Sequence, residues 1–406
     1  MRMVRVGSQE WQRLCHRGQA RRKRIEESVR KILEDVRANG DDAVLRYTRK
    51  FDGAKLVAKQ LRVTARETSG AYQNINPELV SHLREIIQNI EHFYRKTYRK
   101  PWKSVGEDGV VLGEKYDPIS QVGIYIPAGT ASLVSTVYMT VLPAKMAGVP
   151  RIVVTTPPNA EGYVDPNILV VADLLQVKEI YKIGGAQAIG ALAFGTKTIP
   201  RVDKICGPGN AYVAEAKRQV FGYVDIDLIA GPSEVAVIAN HTVPPSYVMA
   251  DLMGESEHAG GTCVLITPTK ALAKLAQAQI PTGHCVLVKN LNEAVDVANQ
   301  IAPEHLQLMV KNPQKLVKRV RNTGAIFLGP YSPVSVGDYV AGPSHVLPTG
   351  GAARSFSGLG LEDFMRRTHI ISYSKKALEK AHEAIRQIAT IERLPRHYES
   401  VKVRLT

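Results

Sequence analysis

The chain has 406 residues, of which 44% are hydrophobic, so it can bury a large core. A prior of one domain per ~150 residues suggests two or three lobes. No stretch of ~18 apolar residues could span a bilayer, and the first residues, MRMVRVGSQEWQRLCHRG, lack the apolar middle of a secretory signal. We therefore expect a cytoplasmic protein with no membrane partner.

The net charge of +15 is concentrated at the two ends of the chain. Lys and Arg outnumber Asp and Glu in residues 1–100 and again in residues 371–406, whereas the segment between them is neutral. A nucleic-acid site would instead surround the polar motifs of the middle segment with basic residues. The charge therefore indicates solvated helix faces, and we expect no nucleic-acid partner.

The first part of the chain predicts a helical arm over residues 1–117. Apolar residues recur at helical spacing across 21–38, and Asn39 and Gly40 then supply a stop. A second helix is predicted from Pro77 to about Tyr98.

From Gln121 onward, short apolar runs alternate with helical segments, and the pattern recurs after residue 234. This alternation is typical of parallel βαβ units. The predicted fold is α/β, with Rossmann-like lobes at residues 118–233 and 234–372 and a helical tail at residues 373–406. Ligands in such folds collect beyond the carboxyl ends of the strands, so we expect the site there, in the crevice between the lobes.

The four cysteines predict neither a disulfide framework nor a cysteine-rich zinc site. Cys206, Cys263 and Cys285 lie in strand-like apolar runs, where a thiol usually behaves as a small hydrophobe. Cys15 stands alone near the N-terminus, and the sequence has no CxxC pair.

The segment KICGPGNAYVAEAKRQV predicts a strand, a tight turn and a helix. Gly207 and Gly209 would let the backbone approach a ligand closely, and Asn210 stands where a helix cap would satisfy free amides. A helix N-terminus of this kind favours phosphate oxygens, although a turn with a cap is an equally simple interpretation. The segment does not match the GxGxxG dinucleotide fingerprint.

Four further residues could bind a metal ion. Glu255 and His258 are three residues apart on a predicted helix that ends at Gly260 and Gly261, so their side chains could share one ion. Asp338, in a predicted turn, and His397, in the tail, would complete a set of two carboxylates and two imidazoles that suits Zn²⁺ or Mn²⁺. An exposed helix face is the simpler interpretation of Glu255 and His258 alone.

The motif APEHL places an acid, Glu304, beside a base, His305. A neutral histidine accepts a proton near pH 7, and a buried glutamate with a raised pKa could activate water. A capping glutamate beside a packed histidine is the alternative.

With these motifs in view, the chain closely resembles the histidinol dehydrogenases over nearly its whole length. The resemblance is carried by long, unusual segments such as GGAQAIGALAFGT, KICGPGNAYVAEAKRQV, AGPSEVAVIA, APEHL and GDYVAGPSHVLPT. It implies oxidation of L-histidinol to L-histidine with two NAD⁺, through a bound aldehyde, at a Zn²⁺ site. It also implies a homodimer in which the tail helps to complete the neighbouring subunit's site.

The resemblance assigns roles to individual residues. It implies Glu304 and His305 as the proton-transfer pair. The implied NAD contacts are Tyr125, Gln187 and Asn210. The implied metal ligands are Glu255, His258, Asp338 and His397. The implied substrate contacts are Ser233, His345 and Glu392, together with His305 and the four metal ligands.

The residue chemistry fits this assignment. No cysteine sits in a polar motif, so water rather than a thiol must attack the aldehyde, and that attack needs a base. His305 would take the alcohol proton before the first hydride transfer, and Glu304 would activate water before the second.

Three positions depart from the family's usual pattern. Glu255 stands where the family usually has Gln, the tail reads ERL rather than EGL, and Ser rather than Asn precedes His345. A paralogous NAD-dependent dehydrogenase of another small alcohol is therefore an alternative, and a degenerate binding protein of the same fold is a second. His345 and Glu392, which would contact an imidazole-bearing amino alcohol, favour histidinol.

Overall fold

A computed structural model of the chain describes residues 1–17, 23–128, 132–258 and 260–406. Two parallel sheets carry helices, and a third, antiparallel sheet has three strands. This architecture confirms the predicted α/β class with Rossmann-like lobes. Among the described residues, no helix is both long enough and apolar enough to cross a membrane.

The N-terminal region contains strands as well as helices. Its elements are β1 (Arg2–Met3), α1 (Gln9–Cys15), α2 (Lys23–Asp52), α3 (Ala65–Ala71), α4 (Pro77–Thr97), β2 (Trp102–Val105) and β3 (Val111–Pro118). Gly40, with φ 51°, divides α2 into two helical segments at the predicted stop. The three strands were not expected in a helical arm, and β1 pairs with a strand of the second lobe.

The first lobe has a five-stranded parallel sheet. Its elements are β4 (Gln121–Tyr125), α5 (Val134–Met146), β5 (Arg151–Thr156), α6 (Pro166–Leu174), β6 (Glu179–Lys182), α7 (Gly185–Phe194), β7 (Lys204–Cys206), α8 (Ala211–Val220) and β8 (Asp225–Ile226). The strand order is β6-β5-β4-β7-β8, so the chain changes direction across the sheet between β4 and β7.

The second lobe repeats this order. Its elements are β9 (Glu234–Ala239), α9 (Pro245–Glu255), β10 (Thr262–Thr267), α10 (Lys270–Gln279), β11 (His284–Leu287), α11 (Leu291–Ile301), β12 (His305–Met309), α12 (Gln314–Val317), β13 (Ala325–Leu328) and α13 (Val334–Tyr339). The strand order is β1-β11-β10-β9-β12-β13, and the change of direction falls between β9 and β12. All residues of β9 and β12 are buried, as expected for central parallel strands covered on both faces.

The C-terminal part begins with a strand and continues with two helices. Its elements are β14 (Met365–Ser372), α14 (Lys375–Ile391) and α15 (Pro395–Lys402). β14 pairs with β3 over eight residues, antiparallel, and β3 also pairs with β2. This small sheet joins the predicted arm to the end of the predicted second lobe. The proposed domain boundaries stay a prediction.

Arg393 lies in the turn between α14 and α15, at the position where the resemblance led us to expect glycine. Its φ is 57°, the left-handed region that favours glycine. The turn therefore keeps the left-handed backbone although Arg393 has a side chain. This conformation typically costs a residue with a Cβ about 1–2 kcal/mol.

Candidate active site

The predicted proton-transfer pair lies at the amino end of the central strand β12, beside the amino end of its neighbour β9. Glu304 immediately precedes β12, and His305 is its first residue. Ser233 and Glu234 stand at the start of β9, and the register pairs His305 with Val235. The expectation that the site lies at the carboxyl ends of the strands is therefore wrong for the second lobe. Glycine- and proline-bounded turns lead into these strands, so the polar side chains precede them.

Glu304 is held by the main chain of Glu234. Its Oε2 accepts a hydrogen bond from the Glu234 N–H at 2.9 Å, and the Glu304 side chain is only 8% exposed. Burial raises the pKa of Glu304 to about 8, although the nearby His305 opposes the shift. A carboxyl group in this state can exchange protons near neutral pH, which is what water activation requires.

His305 is fixed by the same residue of β9. Its Nδ1 lies 3.0 Å from the Glu234 carbonyl oxygen, and because a carbonyl can only accept, Nδ1 must carry the proton. Nε2 is buried without a hydrogen-bond partner and lies 3.6 Å from Asp338 Oδ1. Burial lowers the pKa of His305, but Glu304 and Asp338 outweigh it and raise the pKa to about 9.

Three of the four predicted metal ligands lie around this pair. Glu255 is the last residue of α9, and its Oε1 lies 3.7 Å from His258 Nδ1. Burial raises the pKa of Glu255, while His258, His305 and a hydrogen bond from Ser233 oppose that shift. Asp338 faces His305 from α13.

Two local predictions about these ligands need correction. Glu255 and His258 do not share a helix, because α9 ends at Glu255 and His258 lies in the turn that follows. The turn still brings them together, since the His258 N–H donates to the Glu255 carbonyl oxygen at 3.1 Å. Asp338 lies in the short helix α13 rather than in a turn.

The donor set has the chemistry of a divalent-ion site. Glu255 Oε1 is buried and has no hydrogen-bond partner, as expected for an oxygen that binds a cation. Carboxylate oxygen and imidazole nitrogen suit Zn²⁺ or Mn²⁺. Within the described part of one chain, however, no three His, Cys, Asp or Glu side chains are already gathered into a metal cluster.

A cavity of ≈ 860 Å³ opens beside His305 and Asp338. Helix α4 lines one side of it through Phe93 and Tyr94, and the segment around His345 lines another. His345 Nε2 lies 3.1 Å from Ser135 Oγ on α5, and burial lowers the pKa of this imidazole. The cavity is large enough for a small amino alcohol.

Two predicted site residues lie elsewhere in the single chain. Glu392 follows α14 and His397 lies on α15, and both are exposed. The tail that carries them is anchored on Asp108, which pairs with Lys376 and Lys380. Within one chain, the structure therefore does not bring these two residues to Glu304 and His305.

The predicted cofactor contacts gather at the carboxyl edge of the first lobe. Tyr125 is the last residue of β4, and its hydroxyl oxygen accepts a hydrogen bond from the Gly185 N–H at 3.2 Å. Gln187 is fully buried on α7, and neither atom of its amide has a partner. Asn210 caps α8 by accepting from the N–H groups of Tyr212 and Val213. The predicted cap is present, and the cofactor role of Asn210 stays a prediction.

The turn after β7 approaches Tyr125 too closely for any side chain. Gly207 has φ 118°, and a Cβ there would lie 2.2 Å from the Tyr125 carbonyl oxygen. Lys217 and Asp227, with side chains 2% and 1% exposed, form an ion pair behind the turn. Asp227 accepts from the Gly207 N–H at 2.7 Å, and Lys217 donates to the Gly207 carbonyl at 2.9 Å. This edge, between β4 and β7, is the switch point at which dinucleotides bind in such sheets.

Sequence reasoning missed the residues that hold these groups in place. Glu234, Arg17, Lys217 and Asp227 make the supporting contacts, and none was singled out. The available signal was a charged residue at the edge of an apolar run, as in GPSEVAVIA. Arg17 and Glu234 are 217 residues apart, so the sequence could not show that they pair.

Comparison with known proteins gives a consistent result. The family model described as "Histidinol dehydrogenase" matches residues 15–405. "Histidinol dehydrogenase 2" of Trichormus variabilis is 46% identical, over 98% of this chain and 96% of that protein. The Bacillus subtilis histidinol dehydrogenase is 45% identical, over 93% of this chain and 92% of that protein. The crystal structure of histidinol dehydrogenase from Elizabethkingia anophelis superposes with a TM-score of 0.93 at 35% identity, covering 100% of this chain and 98% of that one.

Proposed function

Because the chain belongs to the histidinol dehydrogenase family, we propose that it oxidises L-histidinol to L-histidine, through histidinaldehyde, with two NAD⁺ and one divalent metal ion. This reaction would be the end of histidine biosynthesis. The observation that carries the proposal is the buried Glu304–His305 pair, whose free Nε2 lies beside the ≈ 860 Å³ cavity.

His305 serves the alcohol step. With Nδ1 donating to the Glu234 carbonyl at 3.0 Å, Nε2 is the nitrogen that accepts the substrate hydroxyl proton once the ring is neutral, which the raised pKa of about 9 favours at alkaline pH. Asp338, 3.6 Å from Nε2, stabilises the imidazolium that forms. His345 lines the cavity, and Ser233 hydrogen-bonds Glu255 at the start of β9; both would orient the amino alcohol.

Glu304 serves the aldehyde step. Burial keeps its pKa near 8, so the carboxylate form can take a proton from water as the water attacks the aldehyde carbon. No cysteine takes this role, because all four are buried in the described structure and burial raises the pKa of Cys206, Cys263 and Cys285.

The residues for the cofactor and the metal ion follow from the same proposal. The unpartnered amide of Gln187, with Tyr125 and Asn210, would hold NAD, which supplies a hydride acceptor. Glu255, His258 and Asp338 would hold Zn²⁺ or Mn²⁺, which supplies a Lewis acid for orienting and polarising the amino alcohol. His397 of a second copy would be the fourth ligand and Glu392 of that copy a substrate contact, so we propose a homodimer.

A cytoplasmic location is also part of the proposal. All four cysteines are free, and none pairs with another. Free, buried thiols are typical of proteins kept in a reducing compartment.

The test is the number of NADH molecules formed per L-histidinol consumed. We expect two, and we expect dialysis against a chelator to abolish the activity until Zn²⁺ or Mn²⁺ is added back. One NADH with released aldehyde would contradict the four-electron reaction, and full activity in metal-free protein would contradict the metal site. A panel of other amino alcohols is tested alongside. Faster oxidation of one of them than of histidinol would instead support a paralogous dehydrogenase.

A further inference from the structure

The N-terminal segment reaches the active-site strands through one side chain, Arg17. Its Nε donates to Glu234 Oε1 at 2.6 Å, and its Nη2 donates to Glu234 Oε2. The two side chains are 14% and 6% exposed, so this is a buried, two-pronged ion pair.

The same guanidinium also holds the end of the helix that leads to Glu304. Arg17 Nη1 donates to the carbonyl oxygens of Leu14 and Ile301, each at 2.9 Å. Ile301 is the last residue of α11, and Ala302 follows with a left-handed backbone at φ 51°. Arg17 therefore ties the end of α11 to the start of β9.

Glu234 links this anchor to the proton-transfer pair. Its side chain is fixed by Arg17 and by the Gly350 N–H, which donates at 2.8 Å. Its main chain makes both hydrogen bonds that orient the pair. The Glu234 N–H donates to the Glu304 carboxylate at 2.9 Å, and the Glu234 carbonyl accepts from His305 Nδ1 at 3.0 Å. A shift of Glu234 would move both groups at once.

We infer that Arg17 and Glu234 are a positioning pair for Glu304 and His305, an inference that rests on the proposed function. Neither residue lines the cavity beside His305. Their ion pair fixes the residue whose main chain sets the direction of the His305 ring and of the Glu304 carboxyl group. A misplacement of about 1 Å in such groups can cost about 10²-fold in rate.

The chain offers a matched control in Arg354. Its guanidinium donates to the carbonyls of Cys15 and Gln300 and to that of Gly351 at 2.9 Å. It therefore braces the same N-terminal segment against the same end of α11, but it makes no contact with Glu234. Replacing it removes a comparable brace and leaves the ion pair between Arg17 and Glu234 in place.

The experiment compares Arg17→Met with Arg354→Met in the full-length protein. We expect Arg17→Met to lower kcat for histidinol about 10²-fold with KM for NAD⁺ little changed, and Arg354→Met to change kcat less than about threefold. An Arg17→Met kcat close to wild type, or an equal loss in both variants, would overturn the inference. Should Arg17→Met not fold, Arg17→Lys carries the test. It keeps the charge but cannot reach all the acceptors, so we expect about a tenfold loss, and a wild-type kcat would overturn the inference.

A second readout does not depend on activity. The proton on His305 Nδ1, which is bonded to the Glu234 carbonyl, should give a slowly exchanging downfield NMR signal that is absent from His305→Asn. We expect this signal to persist in Arg354→Met and to weaken or shift in Arg17→Met. An unchanged signal in Arg17→Met would refute the positioning role. If the wild-type protein forms no NADH from histidinol but Arg17→Met still loses the signal, the proposed function is refuted and the positioning role is supported.

Discussion

At the scale of single residues, the candidate site places an acid and a base side by side, both nearly buried, next to a cavity. Glu304 and His305 share one anchor, the main chain of Glu234, and their surroundings raise the pKa of both groups. The pKa of Glu304 is raised to about 8 and that of His305 to about 9. Two adjacent groups that both exchange protons at neutral to alkaline pH suit two successive proton transfers.

The two groups should be separable by mutation. Glu304→Gln should slow the oxidation of supplied histidinaldehyde more than the oxidation of histidinol to the aldehyde, because only the aldehyde step needs an activated water. His305→Asn should impair the alcohol step. Losses of about 10²–10⁴ are expected, measured as single-turnover NADH formation from each substrate. Equal, small losses in both steps for both variants would contradict this division.

Glu304 should also make the stability depend on pH. Its pKa rises from 4.5 in the unfolded chain to about 8 in the folded one, chiefly through burial, so the folded state binds this proton more tightly. The resulting stability is fully present below the unfolded pKa and is lost as the pH rises through about 8. Between about pH 5 and about pH 9, the wild type should lose on the order of 3 kcal/mol more unfolding free energy than Glu304→Gln. Urea titrations at both pH values test this. An equal loss of unfolding free energy in the wild type and in Glu304→Gln would contradict it.

At the scale of elements, each lobe sets its functional turn with a buried ion pair. Arg17 and Glu234 fix the start of β9, and Lys217 and Asp227 fix the turn between β7 and α8. Charged groups in these positions are costly to bury, so each pair depends on both partners and on several main-chain hydrogen bonds. The gain is a defined position for the turn.

Lys217→Met should show this dependence. The substitution leaves Asp227, 1% exposed, without its cation, and the loss of unfolding free energy should be about 3–5 kcal/mol. Adding Asp227→Asn should recover part of this loss, because the charge is gone and the amide oxygen can still accept from the Gly207 N–H. The control is the neighbouring Arg218, whose 42% exposed side chain pairs with Glu26 and Glu215. Arg218→Met should lose less than about 1 kcal/mol, because exposed ion pairs contribute little. The free energy of unfolding is measured by denaturant titration. Similar losses for Lys217→Met and Arg218→Met would contradict a stabilising role of the buried Lys217–Asp227 pair.

At the scale of the whole molecule, the tail leaves two predicted site residues away from the site of their own chain. Glu392 and His397 are exposed, and the apolar residues Ile388, Ile391, Leu394 and Val403 on the same two helices and their flanks are also 40–77% exposed. Exposed apolar side chains grouped on one segment are typical of an interface. A second copy of the chain is the occupant that the proposed function requires.

Mixing two inactive variants tests this arrangement. His305→Asn alters only the core of a subunit and His397→Asn only its tail. If each site uses the tail of the partner, unfolding and refolding an equal mixture should form hybrid dimers with one intact site, and about a quarter of wild-type activity should return. Refolding each variant alone is the control. No recovery in a mixture that is shown to contain hybrids would mean that each site is completed within its own chain.

The sequence by itself determined the α/β class with its Rossmann-like lobes, and it supplied the residues that are proposed for the site. Apolar runs alternating with helices at regular spacing require parallel βαβ units, and the residues of GPSE, APEHL and GPGN carry unusual polar groups at the edges of such runs. Local signals of this kind also predicted helix α4 and the Asn210 cap. They depend only on neighbours along the chain.

Only the tertiary structure decided which edge of each sheet carries the site and what holds it there. The strand order places β9 beside β12, so Glu234 meets Glu304 and His305 across 70 and 71 residues. Arg17 reaches Glu234 from 217 residues away, and β14 returns to pair with β3. These contacts depend on how the sheets are ordered and packed. No periodicity in the sequence encodes that order, because many strand orders bury the same apolar runs equally well.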